Sequence, residues 1–369
     1  MSNSIPEIED ADLLFIFGYN GADSHPIVAR RIVRAKEKGA TLITVDPRVT
    51  ETARISDMHL PIKGGTNMIL VNAFGNVLIN ENLYDEEFIK EHTDNFEEYK
   101  KIVEPYTPEY AAKYTNIPAD MIRKTMREYA KAKDAMILYG MGVCQFSQAV
   151  DVVKGLASLA LLTGNFGRPN VGIGPVRGQN NVQGACDMGA LPDCYPGYQK
   201  VTNPEIRAKF EKAWGVKLPN KVGLKLTEVP HAVLEEHKIK AYYIFGEDPV
   251  QSDPDAAEVR EALDECEFVV VQDIFMNKTG LHADVIFPAT SWGEHDGVYS
   301  SADRGFQRIR KAVEPKGDVK TDWQIICEVS TAMGYPMHYN NTKEIWDEMR
   351  SLTPSFFGAT YEKMEKYGC

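Results

Sequence analysis

The chain has 369 residues, of which 43% are hydrophobic and 25% are charged, a composition typical of a globular protein with about two domains. Its formal net charge of −12 argues against non-specific binding to nucleic acids and favours a soluble, cytoplasmic protein. We expect neither a signal peptide nor a membrane span, because the first residues lack a basic and apolar leader and the apolar runs are only strand-sized.

An α/β unit is predicted over residues 11–62. Its short apolar runs are typical of parallel strands that are buried on both faces. A helix is expected between the first two strands, because Ser24 and Pro26 are typical of a helix start and Gly39 of a helix end. The strands are expected at residues 11–18, 41–47 and 57–62.

The same pattern recurs in the second half of the chain. Each copy has a strand that ends in glycine, then a helix start, then a strand that ends in aspartate, and a one-residue gap aligns the two copies. An internal duplication explains this agreement better than coincidence. The matched pairs are Gly18 and Gly246, Ser24 and Ser252, Pro26 and Pro254, Asp46 and Asp273, Asp57 and Asp284, and Pro61 and Pro288.

Mostly helical segments lie between the two copies and after the second copy. Residues 135–142 predict one more strand, residues 191–225 an irregular region with one helix near 204–214, and residues 297–313 a strand pair. Helices are expected at residues 66–79, 85–92, 96–103, 108–114, 118–132, 147–163, 322–333 and 342–352.

Residues 171–187, VGIGPVRGQNNVQGACD, form an unusual segment between the copies. Four glycines and several amide side chains predict a poor helix and a poor strand. A plain surface loop would usually carry more charge, so we interpret the segment as a loop that closes around a ligand. Arg177 is its only cation and indicates an anion or a developing negative charge.

Each copy has the layout of a mononucleotide half-site. A strand-end glycine lets backbone approach a phosphate, a helix start offers free N–H groups, and the aspartate can accept hydrogen bonds from a ribose or base. The absence of a GxGxxG or Walker A run disfavours a standard NAD or ATP site. The ligand would carry two nucleotide moieties or bind as two copies; the alternative is a scaffold with ordinary strand-end turns.

Other candidate residues are weaker. The six cysteines have no CxxC spacing, which disfavours a zinc or iron–sulfur site built from this chain alone and predicts free thiols in a reducing compartment. Glu294 could act as an acid or base, but a turn explains it equally well. His25, His59, His282 and His295 lack the spacing of metal ligands. The cysteines are Cys144, Cys186, Cys194, Cys266, Cys327 and Cys369.

Longer motifs resemble the catalytic subunit of formate dehydrogenases, in the molybdopterin (DMSO reductase) superfamily. They are PVRGQNNVQGACDMGALPD, GEDP, VVQDIF, SWGEHDGVYSSADRGFQR and KTDWQ. The resemblance implies two related, doubly wound Rossmann-like α/β domains, residues 1–175 and 176–369, around a shared cofactor cleft. It also implies a bis(molybdopterin guanine dinucleotide) cofactor with molybdenum or tungsten, formate and CO2 as substrate and product, and an electron-transfer subunit as partner.

The resemblance further implies which residues contact substrate and cofactor. Arg177 matches an arginine beside the metal that would hold the formate carboxylate, whereas Cys186 matches no metal ligand and is interpreted as a structural thiol. The implied cofactor contacts are Asn20, Asp23, Asp46, Arg48, Gly65, Asn67, Met141, Gln145, Gln179, Gly246, Glu247, Asp248, Gln272, Asp273 and Asp322.

Some family features have no match in these 369 residues. They are the four-cysteine [4Fe–4S] segment, the selenocysteine or cysteine metal ligand with its following histidine, and the C-terminal cap barrel. We therefore expect the sequence to be the central part of a longer subunit, with Met1 following a selenocysteine codon that was misread as a stop, and to be inactive alone. The alternatives are a nitrate reductase-like enzyme and a non-catalytic scaffold of the complex I type.

Overall fold

The computed structural model describes residues 1–367 and divides into two compact units. Met1–Gln183 with Ser301–Arg304 form the first unit, and Gly184–Ser300 with the chain from Gly305 onward form the second. Within residues 1–367, no helix is long and apolar enough to cross a membrane.

The first unit contains a five-stranded parallel sheet. The order of its strands is β3-β2-β1-β4-β5, so the chain proceeds outward from β1 in one direction and then returns to its other side. All five residues of β1 and of β4 are buried, as their continuous apolar runs predict. The strands are β1 (Leu13–Phe17), β2 (Thr41–Val45), β3 (Met58–Leu60), β4 (Ala135–Tyr139) and β5 (Gly172–Pro175).

Helices cover both faces of this sheet. Phe15 and Phe17 of β1 enter one apolar cluster, while Leu14 and Ile16 enter another, because alternate residues of a strand face opposite sides. The helices are α1 (Gly21–Ser24), α2 (Pro26–Glu37), α3 (Glu51–Ile55), α4 (Asn67–Asn80), α5 (Glu86–His92), α6 (Phe96–Val103), α7 (Pro108–Thr115), α8 (Ala119–Lys131), α9 (Met141–Cys144), α10 (Ala149–Leu162) and, ending in the second unit, α11 (Val182–Asp187). The cluster with Phe15 also holds buried residues of α4 and α10, and the cluster with Leu14 holds those of α2.

The second unit contains a three-stranded parallel sheet in the order β10-β9-β8 and two short antiparallel pairs, β6 with β7 and β11 with β12. Its strands are β6 (Cys194–Tyr195), β7 (Gln199–Lys200), β8 (Ala241–Phe245), β9 (Phe268–Asp273), β10 (Val285–Pro288), β11 (Gly297–Ser300) and β12 (Phe306–Ile309). Its further helices are α12 (Pro204–Trp214), α13 (Val229–Leu234), α14 (Pro249–Ser252), α15 (Ala256–Glu265), α16 (Asp322–Ala332), α17 (Thr342–Leu352) and α18 (Tyr361–Tyr367).

The predicted α/β class with parallel sheets is confirmed, but the expectation for residues 171–187 is wrong at both ends. Residues Gly172–Pro175 form β5 and residues Val182–Asp187 form α11. Gly174 suits the strand because an added Cβ would lie 2.7 Å from Met1 Cε and 2.9 Å from Leu138 Cδ2. Tight packing therefore favours glycine within this strand, and only residues 176–181 remain a loop.

Candidate functional site

The first sheet changes direction between β1 and β4. In open parallel sheets, ligands bind beyond the carboxyl ends of the strands at such a point, because the loops that follow the two strands lead away from each other. Gly18 follows β1 and Gly140 follows β4 at this edge.

The sequence-predicted residues of the first unit all follow the carboxyl ends of its strands. Asn20 and Asp23 follow β1, Asp46 and Arg48 follow β2, Gly65 and Asn67 follow β3, Met141 and Gln145 follow β4, and Arg177 and Gln179 follow β5. These positions are separated by up to 159 residues in sequence, yet the parallel sheet brings them to one edge.

A cavity of about 280 Å³ opens at this edge. Four of the predicted residues line it, namely Asn20, Asp46, Arg48 and Asn67, whereas Asp23, Gly65, Met141, Gln145, Arg177 and Gln179 are not among its lining residues. The rest of the wall comes from Phe17, Gly18, Val45, Pro47, Ile62, Gly64, Gly142 and Phe146. Its polar groups thus include a carboxylate, a guanidinium and two amides.

Asp46 is a buried, hydrogen-bonded polar group of this cavity. It is 8% exposed, its Oδ1 accepts a hydrogen bond from the Arg48 backbone N–H at 2.8 Å, and its carbonyl oxygen contacts His59 Nε2 at 2.9 Å. The Arg48 side chain is exposed. The turn therefore places the Asp46 carboxylate, a hydrogen-bond acceptor, in the cavity wall next to the Arg48 guanidinium.

The amide side chains of Asn20 and Asn67 are also held by hydrogen bonds. Asn20 Nδ2 donates to Asp23 Oδ2 at 2.5 Å, and Asn20 Oδ1 accepts from Thr52 Oγ1 at 3.2 Å. Asn67 Nδ2 donates to the Gly142 carbonyl at 3.3 Å. Thr52 was missed by sequence reasoning, since no local pattern links it to the turn after β1.

Arg177 is half-buried, two residues beyond the end of β5. Its carbonyl oxygen lies 2.5 Å from Nε2 of His25. Burial raises the pKa of the Cys144 thiol, and the positive charge of Arg177 acts in the opposite direction. Burial likewise raises the pKa of Tyr139 to about 12. His25 and Cys144 therefore belong to the surroundings of Arg177, and only the fold reveals this.

In the second unit, Gln272, Asp322 and Tyr243 form a hydrogen-bonded chain. Tyr243 Oη donates to Gln272 Oε1 at 2.6 Å, and Gln272 Nε2 donates to Asp322 Oδ1 at 2.8 Å. Burial raises the pKa of the Asp322 carboxyl, and the hydrogen bond from Gln272 offsets part of that shift. The predicted residues Gln272 and Asp322 are therefore joined by a hydrogen bond. Tyr243, which binds Gln272, was not among the residues predicted from the sequence.

Glu247 and Asp248 lie in the turn that follows β8, and Asp273 is the last residue of β9. Asp248 Oδ1 accepts from Thr279 Oγ1 at 2.6 Å and from the Thr279 backbone N–H at 3.0 Å. Burial raises the pKa of Asp248, but these hydrogen bonds outweigh that effect and hold the pKa below its usual range. Asn277 Nδ2 donates to the Glu247 carbonyl at 3.3 Å and to Asp273 Oδ2 at 3.0 Å, so it connects the turn after β8 to the end of β9.

Gly18 and Gly246 occupy equivalent places in the two units. The Gly18 N–H donates to the Val45 carbonyl at 2.9 Å, and the Gly246 N–H donates to the Gln272 carbonyl at 2.9 Å. Their φ angles are +57° and +65°, in the left-handed region that favours glycine. The duplication in the sequence thus corresponds to a repeated hydrogen bond and backbone conformation.

The paired aspartates repeat in the same way. Asp46 Oδ1 accepts from the N–H two residues on at 2.8 Å, and Asp273 Oδ1 accepts from that of Phe275 at 3.0 Å. Asp57 Oδ2 accepts from the Leu42 N–H at 2.9 Å, and Asp284 Oδ2 accepts from the Val269 N–H at 2.7 Å. Asp57 thus links the start of β3 to β2, and Asp284 links the start of β10 to β9.

The weaker candidates have structural partners. Glu294 Oε2 accepts from the Ser291 backbone N–H at 2.7 Å, which fits a turn, and His282 Nδ1 lies 2.6 Å from Asp264 Oδ1. In the part of the chain that the structure describes, no group of three or more His, Cys, Asp or Glu side chains could hold a metal ion. In that part Cys144, Cys194, Cys266 and Cys327 are free thiols, and Cys369 lies outside it.

Comparisons with known proteins identify the family. The model of the molybdopterin oxidoreductase family matches residues 1–332. Formate dehydrogenase H of Escherichia coli (strain K12) is 60% identical over 369 residues, which are 100% of this chain and 52% of that protein. The F420-dependent formate dehydrogenase subunit alpha of Methanocaldococcus jannaschii is 47% identical over 368 residues, or 99% of this chain and 54% of that protein. The chain thus spans about half the length of these curated relatives.

A solved structure agrees in fold. Acetylene hydratase from Pelobacter acetylenicus matches 98% of this chain and 54% of its own chain with a TM-score of 0.76, at 22% sequence identity. The family model covers most of the described fold, and the relatives align with nearly every residue. The chain therefore belongs to the molybdopterin oxidoreductase family.

Proposed function

We propose that the chain is the central part of the catalytic subunit of a formate dehydrogenase, which oxidises formate reversibly to CO2, two electrons and a proton. The observation that carries this proposal is the 60% identity, over all 369 residues, to a protein named formate dehydrogenase H. The comparisons do not favour a nitrate reductase-like enzyme or a non-catalytic scaffold.

The residues present are suited to a molybdopterin guanine dinucleotide. Guanine and ribose donate hydrogen bonds that carboxylates accept, while a diphosphate needs backbone N–H groups or a cation. The cavity of the first unit offers the Asp46 carboxylate and the Arg48 guanidinium. The turns of the second unit offer Asp248 and Asp273 as acceptors. This donor and acceptor set supports one dinucleotide for each unit.

We assign the cofactor contacts by unit. In the first, they are Asn20, Asp23, Asp46, Arg48, Gly65, Asn67, Met141, Gln145 and Gln179; in the second, they are Gly246, Glu247, Asp248, Gln272, Asp273 and Asp322. When bound, the molybdenum or tungsten and its dithiolenes accept the two electrons.

Arg177 is proposed to hold the formate carboxylate. A guanidinium binds a carboxylate through two parallel N–H···O hydrogen bonds, which fixes both the position and the orientation of formate. Gln179, two residues on in the same loop, would contact a pterin. Orientation of the substrate is the contribution that Arg177 would make to the reaction.

The proposal extends to partners and location. A [4Fe–4S] cluster in the full-length subunit would pass electrons to an iron–sulfur, flavin or hydrogenase-type subunit, and the enzyme would work in the cytoplasm. The metal ligand, a selenocysteine or cysteine, is expected outside these 369 residues.

Substitution of Arg177 in the full-length protein tests the proposal. Arg177→Lys and Arg177→Gln are compared with Arg30→Gln, which removes an exposed arginine elsewhere in the same unit. Formate-dependent reduction of a viologen dye and metal content are measured for each. We expect both Arg177 variants to lose about 10²–10³-fold in kcat/KM with unchanged metal content, and Arg30→Gln to resemble the wild type. Nitrate reduction without formate oxidation, or full activity in Arg177→Gln, would overturn the proposal.

A further inference from the structure

We infer that His25 is a positioning residue, whose ring N–H holds the backbone of Arg177 and thereby fixes the place from which the guanidinium reaches formate. The inference rests on the role proposed for Arg177. It assigns no contact between His25 and substrate or cofactor.

The first observation is the contact between the two residues. His25 Nε2 lies 2.5 Å from the carbonyl oxygen of Arg177, although 152 residues separate them in sequence. A carbonyl oxygen only accepts hydrogen bonds, so Nε2 carries the proton and donates. Among the described residues, the buried Nδ1 atom has no hydrogen-bond partner. The ring therefore makes one hydrogen bond, and that bond goes to Arg177.

The second observation is that His25 is itself held firmly. Its backbone N–H donates to the Gly21 carbonyl at 2.8 Å, and its carbonyl accepts from the Ala29 N–H at 2.9 Å, so the residue joins α1 to α2. The imidazole packs against the ring of Tyr19, with centroids 5.5 Å apart and an interplanar angle of 49°. Tyr19 is only 3% exposed. Because both its backbone and its ring are held, His25 can fix the position of the residue that it binds.

The third observation is that His25 binds the chain at the point where it leaves the sheet. The Val176 N–H still donates to the Tyr139 carbonyl at 2.9 Å, which continues the pairing of β5 with β4. Arg177 is the next residue, and Gly178, Gln179 and Asn180 after it are exposed. The hydrogen bond from His25 thus fixes the first residue beyond the sheet and sets the direction in which the exposed loop leaves it.

This geometry predicts a specific kind of loss when the N–H group is removed. Without it, the Arg177 backbone would gain freedom while the sheet and the remaining polar groups at its edge stay in place. An arginine displaced by even 1 Å would hold formate poorly, so the change should appear in formate kinetics and in local backbone protection.

The test compares two substitutions at one position in the full-length protein. His25→Gln keeps an N–H donor near the position of Nε2, whereas His25→Phe keeps a ring without a donor. His92→Phe serves as the control, because His92 is an exposed histidine in α5 of the same unit. Formate kcat and KM, metal content and amide hydrogen exchange of residues 176–181 are measured for each.

We expect His25→Phe to lose about 10-fold to 100-fold in kcat/KM, with a higher KM, unchanged metal content and faster exchange confined to residues 176–181. The kcat/KM of His25→Gln should stay within about threefold of the wild-type value, because the glutamine still donates one hydrogen bond. The kcat/KM of His92→Phe should equal that of the wild type. Equal losses in His25→Phe and His25→Gln, or unchanged exchange in His25→Phe, would overturn the inference.

A measurement on the unsubstituted protein covers the case in which His25→Phe does not fold. Nitrogen NMR of the His25 ring should show the tautomer protonated at Nε2, and the tautomer protonated at Nδ1 would contradict the inference. If the full-length protein oxidised no formate, the proposed function would fail. The exchange and tautomer results would still decide whether His25 holds Arg177.

Discussion

The backbones of Gly18 and Gly142 touch at the point where the first sheet changes direction. The Gly142 N–H donates to the Gly18 carbonyl at 3.0 Å, and a Cβ added to Gly18 would lie 2.7 Å from the Gly142 carbonyl carbon. A Cβ on Gly142 would in turn lie 2.7 Å from Gly18 Cα. The turns after β1 and β4 therefore approach so closely that neither residue has room for a side chain.

Alanine at Gly18 or Gly142 should destabilise the first unit. Gly246 supplies the control, because it shares the positive φ of Gly18, whereas a Cβ added to it would meet no atom of residues 1–367 within 4 Å. We expect Gly246→Ala to cost about 1–2 kcal/mol and Gly18→Ala about 2–4 kcal/mol, measured by urea unfolding with circular dichroism. The double variant Gly18→Ala/Gly142→Ala should cost less than the sum of its parts, since both substitutions separate the same two turns. Equal costs for Gly18→Ala and Gly246→Ala would contradict this account.

Gly75→Ala should destabilise the chain through Tyr99, although alanine is a better helix former. Gly75 lies in α4, and its added Cβ would collide with the Tyr99 hydroxyl oxygen and lie 3.1 Å from Tyr99 Cζ. We expect a loss of about 1–3 kcal/mol in the unfolding free energy. Tyr99→Phe removes the colliding oxygen, so the same substitution in that background should cost at least about 1 kcal/mol less. An unchanged cost in the two backgrounds would rule out the collision.

Glu7→Gln should change the dependence of stability on pH. Hydrogen bonds from the Asn3 side chain at 2.8 Å and the Asn170 backbone at 2.9 Å hold the pKa of Glu7 at about 2, below its ordinary value of 4.5. Because the folded pKa is the lower one, the stabilisation is complete above about pH 4.5 and is lost as the pH falls toward 2. We expect the unfolding free energy of the wild type to exceed that of Glu7→Gln by roughly 1–2 kcal/mol at pH 7, because solvent screens these contacts, and the difference to shrink below pH 4.5. The exposed Glu37→Gln should show no such trend in urea unfolding at the same pH values.

Arg48→Gln should weaken retention of the cofactor without harming the fold. The side chain is exposed, and the backbone N–H that binds Asp46 remains in the variant. Loss of one charge-assisted hydrogen bond to a phosphate corresponds to about 10-fold to 100-fold in affinity. Guanine and metal content per full-length protein after dialysis should fall relative to wild type and to Arg30→Gln. Equal content in all three proteins would show that Arg48 does not bind the cofactor.

Sequence patterns were sufficient for the two central strands of the first sheet and for the duplication. LLFIF and AMILY are continuous apolar runs, as is typical of strands buried on both faces of a sheet, and they form β1 and β4. The spacing shared by Asp57 and Asp284 located two residues that make the same backbone hydrogen bond. Local periodicity and repeated spacing determine these features, so they are visible without a structure.

Contacts between distant segments could not be predicted in this way. Thr279 binds Asp248 across 31 residues, and His25 binds Arg177 across 152, so no spacing rule applies. The strand Gly172–Pro175 was missed because glycine is normally unfavourable in a strand, and only the packing of Met1 and Leu138 shows why Gly174 is suitable. These features depend on which segments the fold brings together.

The repeated aspartate turn is held by a backbone hydrogen bond that leaves one side chain exposed. In each unit, the residue two positions after the aspartate donates its backbone N–H, while its side chain, that of Arg48 or Phe275, is exposed. Because the donor is a backbone N–H group, the hydrogen bond does not depend on the identity of that side chain. After duplication, the two positions could therefore diverge, one to a cation and the other to an aromatic ring, without loss of the turn, and exchanging them offers a route to redesign each half independently.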